Sequence, residues 1–151
     1  MPAVASDGAN HLVAWDDDRN DQWGDIYAAR VSPAGAVLNP YGIAVAKHSS
    51  TAGSAQREPS VAVNGTFLVS WRDDRRLGVL ADGADIFTAR VNSNGAVLDP
   101  SGISLTSSAT YDSQPAVAPG AGDTWNVLYR RFAVERQYGA DRVFLQSVSP
   151  G

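Results

Sequence analysis

"DIYAARVSPAGAVLNPYGIAV", residues 25–45, returns sixty positions later as "DIFTARVNSNGAVLDPSGISL", residues 85–105. Both copies open on an aspartate and alternate large apolar residues with small or polar ones. Both then turn through "SPAG" or "NSNG" and resume in short β-rich runs. Alternation with period two places one set of side chains on one face of a strand. Gly, Asn, Ser and Pro between the runs supply turn chemistry. A helical stripe would need apolar residues three and four apart, and no window shows one with caps.

Working outward, the preceding segments match too. "PAVASDGANHLVAWDDDR" (2–19) aligns with "PSVAVNGTFLVSWRDDR" (59–75), and "PAVAPGAGDTWNVLYRR" (115–131) begins a third copy that continues through "DRVFLQSVSPG" (141–151). Pro2, Pro59 and Pro115 mark the starts, 57 and then 56 residues apart. The units are 2–58, 59–114 and 115–151. The stretch between Arg19 and Asp25 is four residues shorter than that between Arg75 and Asp85, a length change expected of a loop. Four short strands in each unit predict an all-β chain of β-propeller blades: three four-stranded antiparallel repeats, the last lacking its outer strand. "AVL" (36–38 and 96–98) is read as that outer strand, with "GIAV" closing the unit.

The order of signals resembles the TolB-like β-propeller repeat. A proline is followed by Asp-Gly, then a strand ending in an aromatic, then Asp-x-Arg, then Asp-Ile-Tyr, then a glycine turn. The resemblance covers nearly the whole chain, in two full copies and one degraded copy. The repeat is longer than usual for that family and stops at three units. The resemblance implies a protein-binding platform or accessory domain.

Composition bounds the partners. The 151 residues carry 44% hydrophobic side chains, enough for a core, and a net charge of −4, which disfavours a phosphate backbone. There is no cysteine, so neither disulfides nor thiolate chemistry enters. No apolar run reaches membrane-spanning length. "MPAVASDGANH" lacks the basic-then-apolar order of a signal peptide. The expected setting is a parent protein that is secreted, periplasmic or on the cell surface, from which this chain is a piece.

The charged aromatic stretch "WDDDRNDQWGD" (15–25) poses the functional question. Trp15, Asp17, Asp18 and Arg19 align with Trp71, Asp73, Asp74 and Arg75, and Arg30 aligns with Arg90. In the third unit Tyr129 replaces the tryptophan, and the acids and both arginines are lost together. Groups that neutralise one another are lost together, because a lone buried charge is costly. The expectation is a structural ion-pair cluster of Asp17, Asp18, Arg19 and Arg30, repeated as Asp73, Asp74, Arg75 and Arg90, with Asp17 or Asp18 on Arg30 and Asp73 or Asp74 on Arg90. Trp15 and Trp71 should pack between blades, with Trp23 exposed in a loop.

Asp16, Asp18 and Asn20 imitate the opening of a calcium loop. Asp21 then stands where glycine belongs and Tyr27 where glutamate belongs, and the second unit offers Arg72 and Arg76. No metal or cofactor is expected. His11 and His48 lack ligand spacing. Asn64-Gly65-Thr66 reads as a hairpin turn before it reads as a glycosylation site. No nucleophile elbow or phosphate loop appears, so catalytic residues are expected to be absent.

Three functions compete. A non-catalytic binding or scaffold module that self-associates into a ring or filament leads. A carbohydrate-binding propeller using Trp23, Tyr41 and Tyr138 is second. A fragment of a propeller-fold hydrolase is third. Self-association or another protein is the expected partner, with carbohydrate as the alternative, and no nucleic acid or membrane insertion.

Overall fold

The computed structural model describes residues 1–20, 22–47, 54–76, 83–135 and 138–150. Asp21, His48 and Gly151 lie outside the described residues. Every regular element among these residues is a strand, and the strands form three antiparallel sheets.

The first sheet contains β1 (Ala3–Ser6), β2 (His11–Asp17), β3 (Asp25–Val31) and β4 (Ile43–Ala46), in that order. The second contains β5 (Gln56–Asn64), β6 (Thr66–Asp73), β7 (Asp85–Val91) and β8 (Ile103–Ser104). The third contains β9 (Asp112–Pro119), β10 (Trp125–Glu135) and β11 (Tyr138–Val148), with β10 central. Each sheet is a meander of consecutive strands. The fourth strand differs from the expectation. It is 43–46 or 103–104, and "AVL" contributes only single bridges, Val31 to Val37 and Val91 to Val97. The turns "SPAG" and "NSNG" are so tight that the next residues fold straight back on the end of β3 or β7.

The sheets stack face to face. β5 lies against β1 and β2, and β9 lies against β5 and β6. Alternation makes this possible, because each sheet presents two apolar faces. Leu12, Ala14, Ile26 and Ala28 of the first sheet meet Phe67, Val69, Trp71 and Phe87 of the second. Ala62, Leu68 and Ile86 on the other face of the second sheet meet Trp125, Val127 and Tyr129 of the third. Equivalent backbone bonds cross both junctions: Gln56 N–H to Gly24 O (3.1 Å) and Asp112 N–H to Ala84 O (2.8 Å).

The Asn64 amide donates to Gly122 O (2.7 Å) and Thr124 O (2.8 Å) in the third sheet, as expected of a turn residue recruited to an inter-sheet junction. In the second sheet, glycine is required where the chain crosses the aromatic pair. Gly102 has φ of 69°, and a Cβ there would lie 3.0 Å from the Trp71 ring and 3.2 Å from Phe87.

β5 and β9 begin before the repeat prolines and cross a bulge. Glu58 and Pro59 together face Trp71, because pairing skips from Arg57–Arg72 to Ser60–Ser70. Gln114 and Pro115 likewise face Tyr129. Glu58 (φ 60°) and Gln114 (φ 53°) both adopt the left-handed conformation, which is uncommon for side-chain-bearing residues and costs about 1–3 kcal/mol each. The bulges re-aim both residues toward the junction between sheets.

Candidate functional site

The charged residues near the ends of β2, β6 and β10 form three versions of one lock. In the first sheet Trp15 Nε1 donates to Asp17 (2.7 Å), and Arg19 grips the same carboxylate through Nε (2.8 Å) and Nη2 (2.6 Å). The guanidinium lies 4.3 Å from the Tyr27 ring centre and donates onward to Tyr41 O (2.5 Å). The second sheet repeats each contact. Trp71 Nε1 donates to Asp73 (2.9 Å), Arg75 Nε and Nη2 donate to Asp73 (2.8 and 2.6 Å), and Arg75 sits 4.1 Å over Phe87 and reaches Ser101 O. The planar fork suits both the carboxylate and the ring face. The Arg19 fork, aided by the Trp15 N–H and against the effect of burial, holds the Asp17 carboxyl far below the usual carboxylate range.

The third sheet reaches the same result with reversed charges. Arg131 occupies the place of Asp73, and Asp112 occupies the place of Gln56, its cross-strand neighbour. Arg131 donates to Asp112 through Nε (2.6 Å) and Nη2 (2.7 Å) and lies 5.2 Å over Phe144. In the second sheet Gln56 instead donates its amide to Asp73 (3.2 Å). The compensation was legible only by aligning positions 56 and 112, which precede the repeat prolines and so escape an alignment that starts at them.

The expected Asp–Arg30 and Asp–Arg90 contacts are not formed. Arg30 stands opposite Leu12, five residues up the strand from Asp17, about 16 Å away at ~3.3 Å per residue. Its guanidinium donates to Asn39 (3.1 Å) and to Ser93 O of the second sheet (3.0 Å). Arg90 forks onto Asp99 through Nε (2.8 Å) and Nη2 (2.9 Å), and that pairing lowers the Asp99 pKa. Asn39 and Asp99 share one repeat position, nine residues after each arginine, and that spacing was the available signal.

Asp18 belongs to a different set, the fasteners between sheets, whereas Asp74 pairs within the second sheet. Arg57 of the second sheet reaches Asp16 (2.9 Å) and Asp18 (2.9 Å) of the first. Arg72 binds Glu58 (3.1 Å) and Asp74 (3.1 Å), while the other Glu58 oxygen accepts Gln114 N–H of the third sheet (2.7 Å). Burial raises the Asp74 carboxyl despite Arg72, with Asp73 and Glu58 adding to the rise. Burial also raises Asp85, which Ser108, Thr106 and Arg76 hold from the other side.

Where the sheets converge, Met1, Glu58, Pro59, Gln114 and Pro115 line a cavity of about 280 Å³. Equivalent residues of three repeats thus share one space, and its polar wall is the Glu58 carboxylate fixed by Arg72 and Gln114. None of the aromatic candidates is among the residues lining it. Tyr41 (87% exposed) sits in the connection before β4, and Tyr138 (80%) opens β11 at the edge of the third sheet. Trp23 is half-buried rather than exposed, and so is Trp15, whereas Trp71 is fully buried as core. Among the described residues, no group of three or more His, Asp or Glu side chains is arranged to hold a metal ion.

No protein-family model and no curated protein sequence matches the chain. Its fold is similar to two solved structures. One is the α-L-arabinofuranosidase from Lactobacillus brevis, with TM-score 0.58 and 13% identity over 97% of this chain and 51% of that one. The other is an endo-1,4-β-xylanase from Bacteroides thetaiotaomicron, with TM-score 0.52 and 10% identity over 96% of this chain and 57% of that one. The chain thus spans little more than half the length of each. The likeness is one of all-β fold.

Proposed function

We propose that the chain is a non-catalytic binding module: three successive blades of a TolB-like β-propeller, belonging to a secreted, periplasmic or surface protein. The observation that carries this reading is the occupancy of the carboxylates where the sheets meet. Asp17, Asp73 and Asp112 each accept an arginine fork. Asp16, Asp18, Glu58 and Asp74 are engaged by Arg57 or Arg72. A glycosidase needs one carboxyl to give a proton and another free to attack or to activate water. Carboxylates held this way serve as fixed acceptors, and Glu58, one-third exposed on the cavity wall, is suited to receive a hydrogen bond from a bound partner.

The test is incubation of the purified chain with arabinofuranosides and xylan. No release of reducing sugar is expected. Release that Glu58→Gln abolishes would overturn the reading.

A second reading, carbohydrate binding, is favoured by the exposure of Tyr41 and Tyr138 and by a fold shared with proteins named as an arabinofuranosidase and a xylanase. Aromatic faces of this kind stack on apolar sugar faces. A glycan array separates the two. Binding lost in Tyr41→Ala or Tyr138→Ala supports the second reading, and a blank array removes it.

A further inference from the structure

Asn64-Gly65 turns the chain from β5 into β6, and the same asparagine ties the second sheet to the third. Its Nδ2 donates to Gly122 O (2.7 Å) and to Thr124 O (2.8 Å), both in the connection between β9 and β10. Both partners are carbonyl oxygens, so the nitrogen of the amide must face them, and both of its hydrogens are spent. Asn-Gly is also the pair in which an asparagine amide is most easily lost, because glycine has no Cβ to obstruct attack by its own nitrogen. Gly65 is exposed, and no atom beyond its chain neighbours lies within 4 Å of where a Cβ would stand. Asn94-Gly95, in the turn after β7, is the same pair without that tie. Asn94 is exposed, and its hydrogen bond among the described residues is from its own backbone N–H to Asn92 Oδ1 (3.0 Å).

Loss of the amide begins when the Gly65 nitrogen attacks Asn64 Cγ. The bond from that nitrogen to Cγ forms, the Cγ–Nδ2 bond breaks, and the Gly65 amide proton leaves with Nδ2 as ammonia. Water then opens the cyclic imide and leaves an aspartyl or isoaspartyl group at position 64. The third sheet opposes the first step. Nδ2 must pass from planar to pyramidal before it departs, and that swings its hydrogens off the Gly122 and Thr124 carbonyls. The product opposes reclosure. Two carboxylate oxygens with no hydrogen to give then face two carbonyl oxygens, and Gly122 O is left without its donor. We infer that Asn64 is a deamidation site held in check by the junction of the second and third sheets, and that its reaction makes an opening of this junction permanent. The Val117 N–H bond to Ser60 Oγ (3.0 Å) crosses the same junction. The Gln56 N–H bond to Gly24 O (3.1 Å) crosses the other one, between the first and second sheets, and takes no part.

The test incubates the full chain in mildly alkaline buffer, with and without urea, and weighs its tryptic peptides 58–72 and 91–130 over time. Asn64 should convert about tenfold or more slowly in the folded chain than in urea, the factor that breaking two ordinary hydrogen bonds imposes. In urea Asn64 and Asn94 should convert alike. Asn64→Asp, which reproduces one product, should melt at a lower temperature than wild type. Its Val117 amide should exchange hydrogen faster, with a smaller change at the Gln56 amide, while Asn94→Asp should match wild type throughout. Asn64 converting as fast in the folded chain as in urea would overturn the inference. So would Asn64→Asp with wild-type melting and wild-type Val117 protection, or an equal loss of stability in Asn94→Asp.

Discussion

Replacing Asp73 with asparagine tests the lock where it is most buried. The Asp73 side chain is fully buried and accepts from Trp71 Nε1, Gln56 Nε2, and the backbone N–H, Nε and Nη2 of Arg75. Asparagine has the same shape but offers one acceptor oxygen and turns an NH2 group toward donors. Two charge-assisted bonds to Arg75 are lost or weakened, at about 1.5–3 kcal/mol each. Arg75 is 21% exposed, so water recovers part of that loss. The expected net cost is about 2–4 kcal/mol, overlapping the low end of the range for breaking a buried pair. For a chain of this size that lowers the apparent Tm by roughly 4–16 °C.

The internal control is Asp17→Asn, in which Asp17 is 12% and Arg19 41% exposed; its Tm should fall less. Thermal unfolding followed by circular dichroism measures both. The Trp71 indole N–H resonance should also move in Asp73→Asn, since it loses its carboxylate acceptor. If Asp17→Asn costs as much as Asp73→Asn, or if Asp73→Asn leaves the Tm unchanged, the lock is not the stabilising unit described.

Three further outcomes are expected. Arg131→Asp alone places a carboxylate beside Asp112 and should lower the Tm, and adding Asp112→Gln, which removes that like-charge contact while Ala133 supplies no counterpart of Arg75, should recover only part of the loss in thermal unfolding. A double-mutant cycle should couple Arg90 with Asp99 by about 0.5–3 kcal/mol and leave Arg90 and Asp74 additive. Asp17 and Asp99 have pKa values below the ordinary 3.8, so their contribution is present above that pH and is lost as the pH falls through the folded values. Urea unfolding between pH 5 and pH 2 should therefore show a shallower acid limb in Asp17→Asn/Asp99→Asn than in wild type.

The strand order and the division into three sheets were legible because alternation and turn residues act locally. "DIYAARV" and "DIFTARV" specify a half-buried strand wherever they stand. The partners of the arginines were not legible from the same pattern. Joint loss in the third repeat placed Arg19 and Arg30 in one cluster with the aspartates, and it could not separate them, since both disappear; the structure puts Arg19 on Asp17 and Arg30 on Asn39. Register decides that question, and register is set by the hairpin between β2 and β3, which places Arg30 beside Leu12. The Asp112–Arg131 reversal was hidden for a related reason. Asp112 is joined to its repeat through a strand that starts before the proline, and its bulge shifts the pairing by one residue. The outer-strand expectation failed at "AVL" because the turn before it leaves room for one bridge only.

The meander has a consequence for synthesis. All four strands of the first sheet lie between residues 3 and 46, and its lock closes between Trp15 and Tyr41. Pairing of near neighbours in sequence forms quickly, and units built this way mature in the order in which they are translated. The first sheet can therefore be complete on the ribosome while β5 is still in the exit tunnel. What the nascent sheet lacks is its fastener: Asp18 and the second oxygen of Asp16 wait for Arg57 to emerge, and its arrival seats the second sheet on the first.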